Sequence, residues 1–155
     1  MKTQPSFHWW YPRKVQYYET DKMAIVHHAN YVRWLEEARL EYGSLHGISY
    51  EQMEAEGIMM PVLEVNCRYR APMKFGQTAQ VYTRMAAFNG VRVKYEYEIF
   101  CLETGELVLQ GHSWHCFVDA ESRRPLNLKT HHPKFYQLSV QLLELESDME
   151  KEQNQ

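Results

Sequence analysis

A carboxylate, two imidazoles and the entrance to a helix fall within one short stretch of the chain, Tyr18-Glu19-Thr20-Asp21-Lys22-Met23-Ala24-Ile25-Val26-His27-His28-Ala29-Asn30-Tyr31. Carboxylates and imidazoles exchange protons near neutral pH, and a helix entrance offers backbone N–H groups that have no partner inside the helix. The chemistry such a set permits is acid–base or nucleophilic catalysis beside a site for negative charge. Each residue also has a plainer use. An aspartate ahead of a helix is ordinarily a cap or turn former, and a histidine at a helix entrance commonly closes a local hydrogen bond. His27 reads as structural or pocket-lining. Glu36 and Glu37 read as solvated or ion-paired helix residues, with Arg33 and Glu37 at i, i+4.

Other chemistries find little support. His112 and His115 form an HxxH, but on a strand residues three apart face opposite ways and cannot share an ion. His131-His132 falls in a loop with no cysteine or carboxylate beside it, so no metal site is expected. There is no glycine-rich phosphate loop. The formal charge is 17 − 20 = −3 with both signs mixed, which leaves no basic field for nucleic acid. Cys67, Cys101 and Cys116 are odd in number, widely spaced and set in apolar runs, as expected for reduced, buried thiols. No apolar stretch approaches the roughly 18 residues of a membrane span, and the opening MKTQPSFHWWYPRK has no signal-type core. A single soluble, cytoplasmic domain over residues 1–155 is expected.

The elements that must position the loop follow from the hydrophobic periods. Arg13 to Glu19, rich in Val and Tyr, predicts a first strand. Asn30 is placed to cap a helix whose apolar residues Tyr31, Trp34, Leu35, Ala38, Tyr42 and Leu45 recur at helical spacing, with Gly47 as its stop. That wide aromatic stripe has to be covered by a sheet. Ser49 opens a short second helix ended by Gly57, after which the period becomes two. Leu63, Val65, Cys67 and Tyr69 alternate with polar residues and predict a half-buried strand stopped by Pro72. A strand from Thr78 to Phe88, the hairpin signal Asn89-Gly90 and a strand from Val91 to Ile99 follow, the last with an apolar face and a wet one. After a turn at Glu103-Thr104-Gly105-Glu106, Leu107 to Val118 is apolar on both sides and suits a central position. Phe135, Leu138, Leu142, Leu145 and Met149 form the stripe of a C-terminal amphipathic helix, about residues 134–150, for packing on the domain or a partner. The expected fold is α+β: an antiparallel meander wrapped around one long central helix.

The stretch TDxMxxVHHxNYxxWxExAR, Thr20 to Arg39, resembles the signature of the 4-hydroxybenzoyl-CoA thioesterase group of hotdog proteins. Tyr69-Arg70-Ala71-Pro72, Phe75-Gly76 and the strand order extend the resemblance from Val15 to about Pro125. It implies a hotdog fold, a homodimer or homotetramer, and hydrolysis of an acyl-CoA-type thioester with no cofactor beyond the coenzyme A of the substrate. It assigns Asp21 as general base or nucleophile and His28 as its helper. The amides between Val26 and Asn30 become the oxyanion site, and Val26, His27, Asn30 and Tyr31 substrate-binding residues. Arg70, Lys74, Arg123 and Arg124 become candidate partners of the coenzyme A phosphates. In such folds the carboxylate loop of one subunit faces the helix of another, and acyl carrier protein is an alternative carrier.

Two departures stand out. Ala24 occupies a position where glycine is usual, and alanine accepts φ > 0 there only with strain. Gln77 stands where aspartate is common, with a local effect expected. Ala24 keeps open a module that binds acyl-CoA or acyl carrier protein without turnover. A hydratase or dehydratase would need a histidine on the long helix, and residues 31–45 contain none.

Overall fold

In the computed structural model, which describes residues 4–155, the aromatic stripe forms α1 (Ala29–Leu45), with Tyr31, Trp34, Leu35, Ala38 and Tyr42 buried. A five-stranded antiparallel sheet covers that stripe in the order β1 (Trp10–Lys14), β4 (Thr78–Phe88), β5 (Arg92–Cys101), β6 (Leu107–Cys116), β3 (Val62–Tyr69). The inward residues Ala79, Val81 and Met85 of β4, Val93, Tyr95, Tyr97 and Ile99 of β5, and Leu109 of β6 close the core. Each large side chain so buried stabilises the fold by about 1.5–3 kcal/mol. A second helix, α2 (Tyr50–Ala55), is capped by Ser49, whose side chain accepts from the Gln52 amide. It leads to β2 (Ile58–Met59), which pairs with β7 (Val118–Asp119). A short α3 (Leu128–His131) precedes α4 (Pro133–Gln153). The Asn89-Gly90 hairpin forms as expected: Asn89 Oδ1 accepts from the Val91 and Arg92 amides, and Gly90 takes φ 90°.

Several expectations are corrected. The first strand ends at Lys14, and Tyr17–Glu19 forms a 3-10 turn instead, closed by the Gln16 amide donating to Glu19 Oε1. Helix α1 begins at Ala29 with His28 in the capping position and no side-chain cap, while Asn30 lies inside the first turn. The four later strands are not a simple meander. β4, β5 and β6 are consecutive, but β3 crosses to the far side of β6 and β1 takes the other edge beside β4. As an edge strand paired only with β6, β3 is not half-buried: Val62, Leu63, Val65 and Tyr69 are all exposed. On the supposedly wet face of β5, Glu98 is buried, its Oε1 accepting from the Ser6 amide. His115 is buried beneath the sheet while His112 faces outward beside Glu64. Burial first, then the charge of Arg39, lowers His115 to about 3, so it stays neutral. His132, expected in open solvent, lies 3.4 Å from Glu56.

The C-terminal helix is turned from its expected seam. Phe135, Ser139, Leu142 and Glu146 are buried and Leu145 is exposed. The reason is a polar tie. Tyr42 OH donates to Glu146 Oε1 at 2.5 Å and accepts from the Met85 amide at 3.1 Å, so it satisfies an edge N–H of β4 where β1 no longer reaches. Burial raises the Glu146 carboxyl above its ordinary 4.5, with the Tyr42 hydrogen bond and Arg84 opposing. A carboxyl held high in the fold contributes stability fully below 4.5, and that contribution is lost as pH rises through its folded value. Glu146→Gln keeps an acceptor for Tyr42 without the buried charge. Its melting temperature at pH 7 should rise by about 2–4 °C, equivalent to about 1 kcal/mol, and the decline above pH 4.5 should flatten. An unchanged or lower value at pH 7 would show that the fold accommodates the ionised form well.

Candidate active site

The segment between β1 and α1 is a closed loop with a deep root. Thr20 and Val26 pair as an isolated antiparallel bridge. Between them Asp21 N donates to Ile25 O and Ala24 N to Asp21 O, both at 2.9 Å. Below the bridge, Glu19 O accepts from the His27 amide at 2.8 Å and from Asn30 Nδ2 at 2.9 Å. The Glu19 side chain is buried and accepts from Arg13, Trp34 Nε1 and the Gln16 amide. Val26 N donates to Met73 O, which ties the loop to the segment after β3. Glu37, expected near Arg33, lies instead 3.2 Å from Arg13.

Asp21 sits at the loop tip, half-buried. Its Oδ1 accepts from the Met23 amide at 2.8 Å, and Oδ2 accepts no hydrogen bond among the described residues. The bend that holds it needs a left-handed residue, and Ala24 supplies it at φ 62°. An L-residue with a Cβ is strained in that region by about 1–2 kcal/mol.

A cavity of about 280 Å³ opens beside the loop, lined by Ile25, Val26, His28, Tyr31, Tyr69, Arg70, Ala71 and Pro72. Val26 and Tyr31 are buried in its wall. Burial pushes the Tyr31 phenol up to about 12, so it remains neutral. The His28 ring lies on the cavity wall, edge-on to Tyr69, whose hydroxyl donates to His28 O at 3.1 Å. His27 stacks on His28 with centroids 4.3 Å apart, and its Nδ1 accepts from the Ala29 amide. Val26 N, His27 N, Ala29 N and Asn30 N all donate to partners. In that stretch the His28 amide is the one with no acceptor among the described residues.

The structure thus gathers Val26, His28, Tyr31 and Arg70 around one cavity, with Asp21 on the adjoining loop tip rather than in its lining. Asn30 turns away to Glu19. Arg70 is exposed, with Nε donating to Gln110 Oε1 at 3.2 Å. Lys74 is exposed outside the lining, in a turn where its amide donates to Gln77 Oε1, the local effect expected of Gln77. Arg123 and Arg124 are exposed in the turn after β7, Arg123 at φ 63°. They lie at the other end of the sheet. Tyr69 pairs with Leu109, and Cys116 is seven residues further along β6, about 23 Å at about 3.3 Å per residue. Glu19 and Tyr69 were absent from the expected site residues. Glu19 carries no local signal, because its partners Arg13 and Trp34 are brought to it by the fold. Tyr69 stands in the quoted Tyr69-Arg70-Ala71-Pro72 motif, which could have nominated it.

Residues 15–141 match the family model of the thioesterase-like superfamily. YneP of Bacillus subtilis, provisionally named an acyl-CoA thioesterase, is 37% identical over 123 residues, spanning 79% of this chain and 88% of that protein. The acyl-CoA thioester hydrolase YbgC of Escherichia coli O157:H7 is 29% identical over 93 residues, 60% of this chain and 68% of YbgC. Among solved structures, DHNA-CoA thioesterase from Staphylococcus aureus superposes with a TM-score of 0.84 and 32% identity, covering 90% of this chain and 93% of that one.

The strained bend can be tested apart from any chemistry. Ala24→Gly removes the Cβ that φ 62° penalises, against a glycine entropy cost of about 0.5–1 kcal/mol. Denaturant unfolding should show a gain of up to about 1 kcal/mol, unlike glycine substitutions elsewhere. A clear loss of stability would mean that the loop holds Ala24 without strain.

Proposed function

The chain belongs to the thioesterase-like superfamily and is a thioester hydrolase of hotdog fold; we propose that it cleaves an acyl-CoA to free acid and thiol through Asp21. A thioester carbonyl is electrophilic because sulfur donates poorly into it, and a thiolate leaves readily. The reaction then requires one positioned carboxylate and one site for the developing oxyanion. Asp21 Oδ2, free while Met23 holds Oδ1, activates a water or attacks the carbonyl carbon to give a mixed anhydride. The unpartnered His28 amide, at the positive end of α1, receives the carbonyl oxygen. The His28 imidazole orients the water or protonates the departing sulfur. The observation that carries this reading is that one loop holds a carboxylate with an open oxygen at its tip and, where it enters α1 at the cavity wall, an amide with no acceptor among the described residues. No cofactor enters the scheme, coenzyme A being part of the substrate.

The working unit in this reading is a homodimer, which two copies of the dimer can extend to a tetramer. The free edge of β3 carries exposed Val62, Leu63, Val65 and Tyr69, and no strand among the described residues pairs with its outer N–H and C=O groups. Antiparallel pairing of two such edges about a two-fold axis satisfies both. It also sets the far end of one sheet beside the cavity of the other. Arg123 and Arg124 of the partner subunit would then join Arg70 and Lys74 around the coenzyme A phosphates. Acyl carrier protein is the alternative carrier, separable by assaying both. A second reading, binding without turnover, draws on Ala24, whose Cβ occupies the bend beside Asp21.

Thiol release from short, medium, long and aromatic acyl-CoAs tests the scheme. Asp21→Asn should lower turnover by about 10²–10⁴-fold, as for loss of a general base, and His28→Ala by less. Equal rates for wild type and Asp21→Asn would remove the carboxylate from the mechanism. If no thioester is cleaved while acyl-CoA raises the melting temperature, binding without turnover is correct. Val65→Glu places like charges across the proposed two-fold. Sedimentation should show monomers, and turnover should fall with them, whereas an unaltered dimer would exclude β3 as the interface.

A further inference from the structure

We propose that Glu19 is a positioning residue for the reaction, its buried carboxylate clamping the root of the loop that carries Asp21; the inference rests on the reading of Asp21 as base or nucleophile. A carboxylate removed from water is costly unless every lone pair finds a donor. Glu19 is 2% exposed, and its donors come from three separate elements. Arg13 on β1 gives a two-pronged pair, Nη1 to Oε1 at 2.9 Å and Nη2 to Oε2 at 3.1 Å. Trp34 on α1 donates Nε1 to Oε2 at 2.8 Å, and the Gln16 amide donates to Oε1 at 2.8 Å. The main chain of the same residue acts in parallel, Glu19 O taking the His27 amide and Asn30 Nδ2 at the start of α1. One residue therefore ties the sheet edge, the 3-10 turn and the helix entrance together, two positions before Asp21.

The consequence for catalysis is geometric. Among the described residues, Asp21 is fixed directly by bonds within the loop tip alone, to Met23, Ile25 and Ala24. The tip is placed relative to the His28 amide by its root, where the Thr20–Val26 bridge and Glu19 meet the first turn of α1. A single guanidinium serves two carboxylates in this cluster. Arg13 is also paired with Glu37, and although burial opposes it, Glu37 and Glu19 hold its guanidinium above the ordinary value. The Glu19 carboxyl thus faces a guanidinium, an indole N–H and a backbone amide at once. A loop tip displaced by about 1 Å costs on the order of 10²-fold in rate through misalignment alone.

The test uses kinetics of the full chain with an acyl-CoA that the wild type cleaves, below the melting temperature of every variant. Glu19→Gln keeps the size of the side chain and an acceptor for Trp34 but loses the pair with Arg13. Its kcat should fall about 10- to 100-fold with KM changed less than about threefold. Arg13→Met combined with Glu19→Gln, which removes the guanidinium together with the carboxylate that it pairs, should fold and show a similar kcat loss. The discriminating readout is the background: in Asp21→Asn, adding Glu19→Gln should change the residual rate by less than about twofold, because Glu19 acts through Asp21. Wild-type kcat in folded Glu19→Gln would overturn the proposal. So would an equal loss on adding Glu19→Gln in both backgrounds, which would mark general damage. Full activity in Asp21→Asn alone would withdraw the premise, and it is read without touching Glu19.

Discussion

A single long helix with an aromatic face has to be kept from water, and the arrangement of this protein follows from how a five-stranded sheet manages it. β4, β5 and β6 lie over Trp34, Leu35, Ala38 and Tyr42, but a sheet of this width leaves two edges. At one, β1 covers only the first half of β4, and α4 closes the remainder through Tyr42, Glu146 and the Met85 amide. At the other, β3 ends the protomer with its apolar residues exposed. One edge is satisfied within the chain, and the other ends the sheet with apolar side chains exposed, the face on which the proposed dimer rests.

The same helix shapes the candidate site at its first turn. An α-helix that starts without a side-chain cap leaves amides to be satisfied elsewhere, and here the preceding loop takes most of them. His27 and Asn30 turn their groups back to Glu19 or to one another, and the His28 amide remains open beside a cavity. The cost of this arrangement is visible in two places: a buried, fully bonded carboxylate at Glu19 and a left-handed alanine at Ala24. Both lie within three residues of Asp21, which is where strain and buried charge would be tolerated for function.

Much of this was legible in the order of residues. The helical stripe from Tyr31 to Tyr42, the Asn89-Gly90 hairpin, the Ser49 cap and the strand from Thr78 to Phe88 depend on neighbours within a few positions, and each formed where its spacing placed it. The Thr20–Arg39 motif marked the loop for the same reason, since a bend, a carboxylate and a helix entrance are local features, and even the strain at Ala24 could be read from the absence of glycine.

What the order of residues left undecided is what depends on partners far along the chain. Arg13 to Glu19 has strand-forming composition, yet it turns at Gln16 because Glu19 finds Arg13 and Trp34 only once β1 and α1 are side by side. β3 alternates as a half-buried strand should, but alternation reports which side is apolar and not what covers it. Crossing to the edge beside β6 left that side bare. The seam of α4 rotated for a hydroxyl more than a hundred residues earlier, the Tyr42–Glu146 bond. Period and turn chemistry are short-range forces and can be read along a line. Pairing, edge position and the burial of charge are set by distances in space, and those exist only after the chain has folded.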